Sequence, residues 1–249
     1  MVLLQEVVSG ALGGTINSSL DLQKLLADRG MKYNLSYTMA NGLPGILSVG
    51  NSILSQCEIS FSLSKTLPFE SEEVFGNFEI PLKRKVLMAR INIPNSGKVD
   101  VYNTHLCSAC DSAARFQQAQ VLMEFIRDVE GLIIGENPII LGGDFNTDLS
   151  ISDDRLVYQL ITGVGFIDTW GSFNTCVGQS CCPGNGCTFA VPGDPFAVDS
   201  FTGQKETPER IDYIFEKGMH AIGKSTVAFD SFPWVSDHSG VLSNVVLPY

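Results

Sequence analysis

Short apolar runs broken by turn residues dominate the chain, and they predict more strands than helices. Val2-Leu3-Leu4-Gln5-Glu6-Val7 reads as a strand from the first residues. Ser18-Ser19 ahead of Leu20-Asp21-Leu22-Gln23-Lys24-Leu25-Leu26 predicts a capped amphipathic helix ending near Gly30. Residues 41–45 predict a turn, with strands over 46–50 and 53–59. Residues 62–81 are acidic and predict an irregular segment. Residues 86–93 and 99–105 predict strands paired across Pro94-Asn95-Ser96-Gly97. Asp111 or Ser112 then caps a helix whose Phe116, Ala119, Leu122, Met123 and Ile126 keep helical spacing, so it covers one sheet face. Pro138-Ile139-Ile140-Leu141 predicts a buried strand. Gly142-Gly143 after it predicts a sharp turn, with Asp144 and Asn146 facing one pocket because positions i and i+2 share a side of extended chain. A helix over 153–161 turns Leu156, Val157, Leu160 and Ile161 inward. Three strands close the chain, one beginning at Ile211, one near Val227 and one over 241–246. No repeat or linker interrupts this order, so a single α/β domain over 1–249 is expected.

Composition narrows the classes. The 249 residues are 44% hydrophobic, enough for one sizeable core. Lys and Arg number 16 against 27 Asp and Glu, a formal charge of −11. Nucleic-acid affinity comes mostly from cations that neutralise phosphates, so this balance argues against a non-specific nucleic-acid binder, although a metal can meet a phosphate instead. No apolar run reaches the length of a membrane span, and no cleavable leader pattern is read at the start. Seven cysteines bear on the compartment. Cys107 and Cys110 form C-x-x-C, and Cys176, Cys181, Cys182 and Cys187 fall in a Gly-rich loop. A zinc site would call for histidine or a second well-spaced pair, so disulfides in an oxidising or secretory setting are the favoured reading. Cys57 is left as a core residue. Sequons at Asn17 and Asn34 are compatible with secretion.

Five segments end in chemistry-bearing residues: Leu3-Leu4-Gln5-Glu6, Val99 to His105, Gly142-Gly143-Asp144-Phe145-Asn146-Thr147, Arg210-Ile211-Asp212-Tyr213 and Ser236-Asp237-His238-Ser239-Gly240. In this order, from Leu3 to His238, they resemble the endonuclease/exonuclease/phosphatase superfamily of Mg-dependent phosphoesterases. The resemblance implies an α/β sandwich of two packed, mixed β-sheets flanked by helices. It also makes the first strand read here the family's second; the family's first strand, which bears a metal-associated Asn, has no counterpart in the sequence.

The same resemblance assigns roles. Hydrolysis of a phosphodiester needs an activated water, stabilised phosphoryl oxygens and a helped leaving group, and a divalent ion supplies part of this. Mg2+, or Mn2+ or another divalent ion, would be held by Glu6, with Asp237 as a second carboxylate. His238 would be the general base, oriented by Asp212. His105 would bind or protonate the phosphoryl group. Asn103 and Asn146 would donate to phosphate oxygens, and Asp144 would position water or help bind metal. Arg210 and Tyr213 would support the Asp212 strand, and His220 would lie on the surface. Within the superfamily, Leu82 to Ala89, Thr104-His105-Leu106 with Arg115, Gln118 and Phe125-Ile126, Cys187-Thr188-Phe189 and Asp194-Pro195-Phe196 are similar to neutral sphingomyelinases. This implies a monomer acting on a phospholipid headgroup at a membrane surface, touched by Phe232-Pro233-Trp234, Phe196 and Phe201 unless these fill the core. Lys83-Arg84-Lys85 reads as a solvent-facing basic run. An endonuclease of the same superfamily and a non-catalytic binding descendant are the alternatives.

Overall fold

The computed structural model describes every residue except 76–77, 133–136, 175–185, 200–201, 224 and 249, and over 70–82 it describes the backbone alone. In chain order the elements are β1 (Val2–Ser9), α1 (Ser18–Asp28), β2 (Asn34–Leu43), β3 (Leu47–Ser55), β4 (Glu58–Phe75), β5 (Phe78–Ile93), β6 (Gly97–His105), α2 (Ser112–Gly131), β7 (Ile139–Asp144), α3 (Arg155–Gly163), β8 (Ile167–Asp168), β9 (Asp212–Lys217), β10 (His220–Ala221), β11 (Thr226–Ala228), β12 (Gly240–Leu242) and β13 (Val245–Val246).

Two sheets face each other. One runs β1-β3-β2; the other runs β4-β5-β6-β7-β9-β8, with β10-β13 and β11-β12 as small pairs. Between the two large sheets, Ile53 of β3 meets Leu87, Ala89 and Ile91 of β5, Val99 and Val101 of β6, and Ile140 of β7. A second core fills the other face of the six-stranded sheet. There Val86, Met88, Tyr102, Leu141, Tyr213 and Phe215 pack under Leu122, Phe125 and Ile126 of α2 and Val157 and Ile161 of α3. α1 lies against β1 and β2. The result is the α/β sandwich of mixed sheets that the resemblance implied. Alternation explains both cores at once, because successive side chains of β5 and β6 point to opposite faces and both faces are covered.

Local chemistry sets the ends. Asp111 caps α2, its Oδ1 accepting from the Ala114 amide at 2.8 Å. The cap of α1 is Asn17 rather than the serines after it, with Oδ1 accepting from the Ser19 and Leu20 amides at 2.9 and 3.2 Å. That side chain is 6% exposed, so the Asn17 sequon is a helix cap and not a free acceptor for sugar. The expected turn at 41–45 comes later, over 44–46, because β2 continues through Leu43. The strands expected over 46–50 and 53–59 are one strand, β3, followed by β4 after a break at 56–57. Residues 62–75 and 78–81 are not irregular: they belong to the long antiparallel pair β4–β5, which runs from Glu58↔Asn92 to Phe75↔Phe78 with register shifts between Ile59 and Phe61 and between Thr66 and Glu70. Leu156 points out of α3 rather than inward.

The largest correction concerns Gly142-Gly143. These glycines do not turn the chain; β7 runs through them to Asp144, pairing parallel with β6 and antiparallel with β9. They are there for close approach. A Cβ on Gly143, at φ 143°, would lie 2.0 Å from the Thr104 carbonyl oxygen.

Candidate active site

The sheet register assembles the site. On three neighbouring strands, His105 at the end of β6 stands opposite Asp144 at the end of β7, and Asp144 stands opposite Asp212 at the start of β9. The strand ends stay aligned because the Leu106 amide donates to the Asp144 carbonyl and the Phe145 amide to the Ile211 carbonyl, both at 2.9 Å. Phe145 then turns into the core, packing edge-on against Tyr213 and Phe215. Asp144 and Asn146, one position to either side, are left to face the site. Asn146 adopts φ 48°, and its amide donates to Asp144 Oδ1 at 2.8 Å. Asparagine tolerates this left-handed conformation better than most residues.

Glu6 arrives from the opposing sheet. The β1–β3 register slips between Leu4 and Val7, which places one extra residue on β1, and Glu6 takes φ 53°. This bulge aims the side chain, 70% exposed, toward His105, with Oε1 4.0 Å from Nδ1. His238 is brought in by a short bridge to Phe189, whose ring lies 5.0 Å from the imidazole. Thr188 ties that segment to β9. Its Oγ1 accepts from the Ile211 and Asp212 amides at 3.1 and 3.0 Å, and its carbonyl accepts from the Ser239 amide.

Within the cluster, His238 Nδ1 and Asp212 Oδ2 are 2.9 Å apart. His238 Nε2 is 3.9 Å from Asp144 Oδ2, and His105 Nε2 is 3.4 Å from the same oxygen. Burial together with the Asp212 carboxylate pushes Asp144 up to about 8. Burial works against a charge on His238, but the hydrogen bond to Asp212 and the charges of Asp212, Asp144 and Asp237 outweigh it and raise the imidazole to about 10. Burial first, and then the nearby Arg84 charge, holds His105 well below 6.5. The two imidazoles are therefore driven apart, one toward its charged and one toward its neutral form, a pattern typical of acid–base sites.

Other expected positions differ. Asn103 does not offer its amide to a phosphate. It is fully buried, its Nδ2 donates to the Leu4 and Ser52 carbonyls at 2.9 and 2.8 Å, and its Oδ1 accepts from Gln5 at 2.6 Å. Both donors thus stitch the two sheets together beside Glu6. Asn146 Nδ2 donates to the Leu106 carbonyl at 3.0 Å, which leaves its second N–H for the site. Asp237 stands outside the group formed by Asp144, Asp212 and His238, whose ligand atoms lie within 4.8 Å of one another. It accepts from Ser236 Oγ instead. His220 is exposed on β10. Arg210 is buried, its Nη2 donating to both Asp168 carboxylate oxygens at 2.7 and 2.8 Å, between the Trp170 and Tyr213 rings and two residues before Asp212.

The donors fit a divalent cation. Glu6 and Asp144 flank His105 with hard carboxylate oxygens, and Asp144 is raised partly by Asp212 and Glu6, a repulsion that a cation offsets. Among the described residues, the ligand atoms close enough together to share one ion are those of Asp144, Asp212 and His238, within 4.8 Å of one another, and these would be the residues to hold it; Glu6 is not part of that group.

The roles of three residues were not read from the sequence. Thr188 and Phe189 entered only as part of a resemblance, with no task assigned. Arg84 was read as solvent-facing, yet it is buried against His105 while Lys83 is exposed. Strand alternation held the clue, since Arg84 shares a face with buried Val86 and Met88. Cys107 and Cys110 form a disulfide beside His105, and Cys187 is also disulfide-bonded, whereas Cys176, Cys181 and Cys182 lie outside the described residues. Phe232 is 86% exposed and Phe196 is exposed, so neither fills the core; Trp234 is half-buried, and Phe201 lies outside the described residues. No helix among the described residues is long and apolar enough to cross a membrane.

Solved structures share this fold. An endonuclease/exonuclease/phosphatase from Beutenbergia cavernae superposes with a TM-score of 0.71 at 24% identity, covering 99% of this chain; the chain spans 62% of that protein's length. An endonuclease/exonuclease/phosphatase family protein from Leptotrichia buccalis gives 0.65 at 20% identity, over 98% of this chain and 86% of that one. The human Nocturnin catalytic domain with bound sulfate gives 0.62 at 15% identity, over 91% and 76%. No protein-family profile and no curated protein matches by sequence. The shared architecture is the deoxyribonuclease-like α/β sandwich.

Proposed function

We propose that the protein is a divalent-metal-dependent phosphodiester hydrolase. The observation that carries this reading is the row His105–Asp144–Asp212 across three strand ends, completed by His238 hydrogen-bonded to Asp212. When bound, a divalent cation supplies positive charge at the phosphoryl oxygens and offsets the carboxylate field that raises His238. His238 Nε2 takes the proton from the attacking water, while Asp212 fixes the ring through Nδ1 and stabilises the imidazolium. Asp144 lies within reach of both imidazoles and orients that water. Neutral His105 and the second Asn146 N–H donate to the phosphoryl oxygens. The fold likeness to a domain that holds sulfate is in keeping with a site for tetrahedral oxyanions.

Within this class the reading is sphingomyelin-like, with release of phosphocholine. Its support is the similarity around Leu82 to Ala89, Cys187-Thr188-Phe189 and Asp194-Pro195-Phe196, together with exposed Phe196 and Phe232 as contacts to a lipid surface. The charge of −11 stands against the endonuclease alternative. The disulfide at Cys107–Cys110 suits an oxidising compartment, and the chain is taken as one monomeric domain over 1–249. Phosphocholine release from sphingomyelin micelles with Mg2+, and its loss in EDTA, is the expected result. Plasmid nicking without phosphocholine release would replace this reading with the nuclease one.

A further inference from the structure

We infer that Arg84 is a positioning residue of this site: its Nη1 sits over the face of the His105 imidazole, within hydrogen-bond distance of both ring nitrogens, and fixes the orientation of the ring. The inference rests on the phosphodiesterase reading for its kinetic consequence, and on geometry alone for the contact.

Arg84 Nη1 stands 3.1 Å from His105 Nδ1 and 3.0 Å from Nε2. A donor in the ring plane cannot be equally near both nitrogens without colliding with Cε1 between them. Nη1 therefore lies above the ring plane, with its N–H directed at the edge that carries the two nitrogens. Because that approach is from above, the in-plane direction of each nitrogen stays open to a further partner. Nε2 looks toward Asp144 at 3.4 Å, and Nδ1 looks toward Glu6 at 4.0 Å, beyond hydrogen-bond length. A phosphoryl oxygen between these carboxylates and the ring would find an oriented donor.

The anchor on the other side is Ser108, whose Oγ accepts from Arg84 Nη2 at 3.1 Å. Ser108 sits in the loop closed by Cys107–Cys110. Arg115 Nη1 donates to the carbonyls of Cys107, Ser108 and Cys110, which holds the loop against α2. Arg84 thus spans from β5 to the segment that directly follows His105. It also brings a permanent positive charge, 7% exposed, to the edge of a site otherwise rich in carboxylates.

The test uses the full chain with Arg84→Met and Arg84→Lys. Turnover of bis(p-nitrophenyl) phosphate in Mg2+ is paired with long-range 1H–15N spectra, which three histidines leave readable. Arg84→Met is expected to lower kcat about 10²-fold, with KM within about threefold, because a misplaced group costs rate more than binding. Added guanidinium chloride is expected to restore part of the loss. His105, in one tautomer in the wild type, is expected to exchange between tautomers in the variant. Arg84→Lys, with the charge but without the planar fork, is expected to fall between. Wild-type kcat and an unchanged His105 spectrum in folded Arg84→Met would overturn the inference. So would lost activity with no guanidinium rescue and no spectral change, which is the mark of a merely structural residue. If Arg84→Met does not fold, the same pair of readouts on Arg84→Lys decides. If the wild type turns over nothing, the spectrum still decides the contact, so failure of the hydrolase reading is seen separately.

Discussion

Replacing Gly143 by alanine would strike the seam on which the site is built. The new Cβ would lie 2.0 Å from the Thr104 carbonyl oxygen, roughly 1.4 Å short of the 3.4 Å at which ordinary contact begins. The obstacle is backbone rather than the end of a flexible side chain, and φ 143° is a region that residues with a Cβ rarely adopt. Backbone strain of this kind costs about 1–3 kcal/mol, and overpacking adds about 1–3 kcal/mol. Taken together, a loss of about 2–6 kcal/mol is expected in urea unfolding followed by circular dichroism. Any relief parts β6 from β7, so His105 and Asp144 separate by a large fraction of an ångström, and turnover falls about 10²-fold. Gly142→Ala is the control. Its Cβ would meet the tip of Leu3 at 3.0 Å and the Tyr213 carbonyl at 3.3 Å, which the neighbours can relieve for about 1 kcal/mol. An unchanged unfolding midpoint and wild-type turnover in Gly143→Ala would refute the close-approach account of this glycine.

Other outcomes follow from the same contacts. His238→Ala should reduce turnover about 10²- to 10⁴-fold while leaving the far-ultraviolet spectrum unaltered; hydrolysis at the wild-type rate would remove His238 as base. Arg210→Met leaves Asp168 buried without its partner and should cost about 3–5 kcal/mol, whereas adding Asp168→Asn should recover part of that; strict additivity in the double-mutant cycle would mean the pair is not coupled. Glu130, half-buried, accepts a hydrogen bond from Tyr102 at 2.6 Å, and burial, with the Asp100 charge adding, raises its carboxyl above 4.5. A carboxyl raised on folding adds stability at low pH that is lost as pH climbs from the unfolded value through the folded one. Glu130→Gln keeps an acceptor for Tyr102, so its Tm should match the wild type near pH 4 and exceed it at pH 7; parallel curves would contradict this.

The sites at strand ends were legible because apolar runs that stop at His105 and Asp144, and one that starts after Asp212, place polar groups where the sheet releases or takes up the chain. Register then aligned them, a relation between distant segments that no local pattern encodes. The long hairpin was not legible for a different reason. Residues 60–66 of β4 alternate Phe61 and Leu63 with Ser60, Ser62 and Ser64, yet both faces are exposed, so the strand is held by its ladder and the alternation marks no buried face. Asn103 misled because its residue type suits a phosphate donor, while its two donors serve carbonyls from the opposing sheet. Arg84 misled through its neighbours: a run of three cations suggests a solvated face, but strand period 2 turns the middle one inward.

The central claim is that the cluster around His238 hydrolyses phosphodiesters with the help of a divalent ion. Its most direct measurement is the rate of p-nitrophenol release from bis(p-nitrophenyl) phosphate by the folded chain, with Mg2+, with EDTA and with His238→Ala. Release that requires the ion and vanishes in the variant is predicted. Release that persists in EDTA or in His238→Ala, or no release from a folded chain supplied with Mg2+ and with Mn2+, would contradict it.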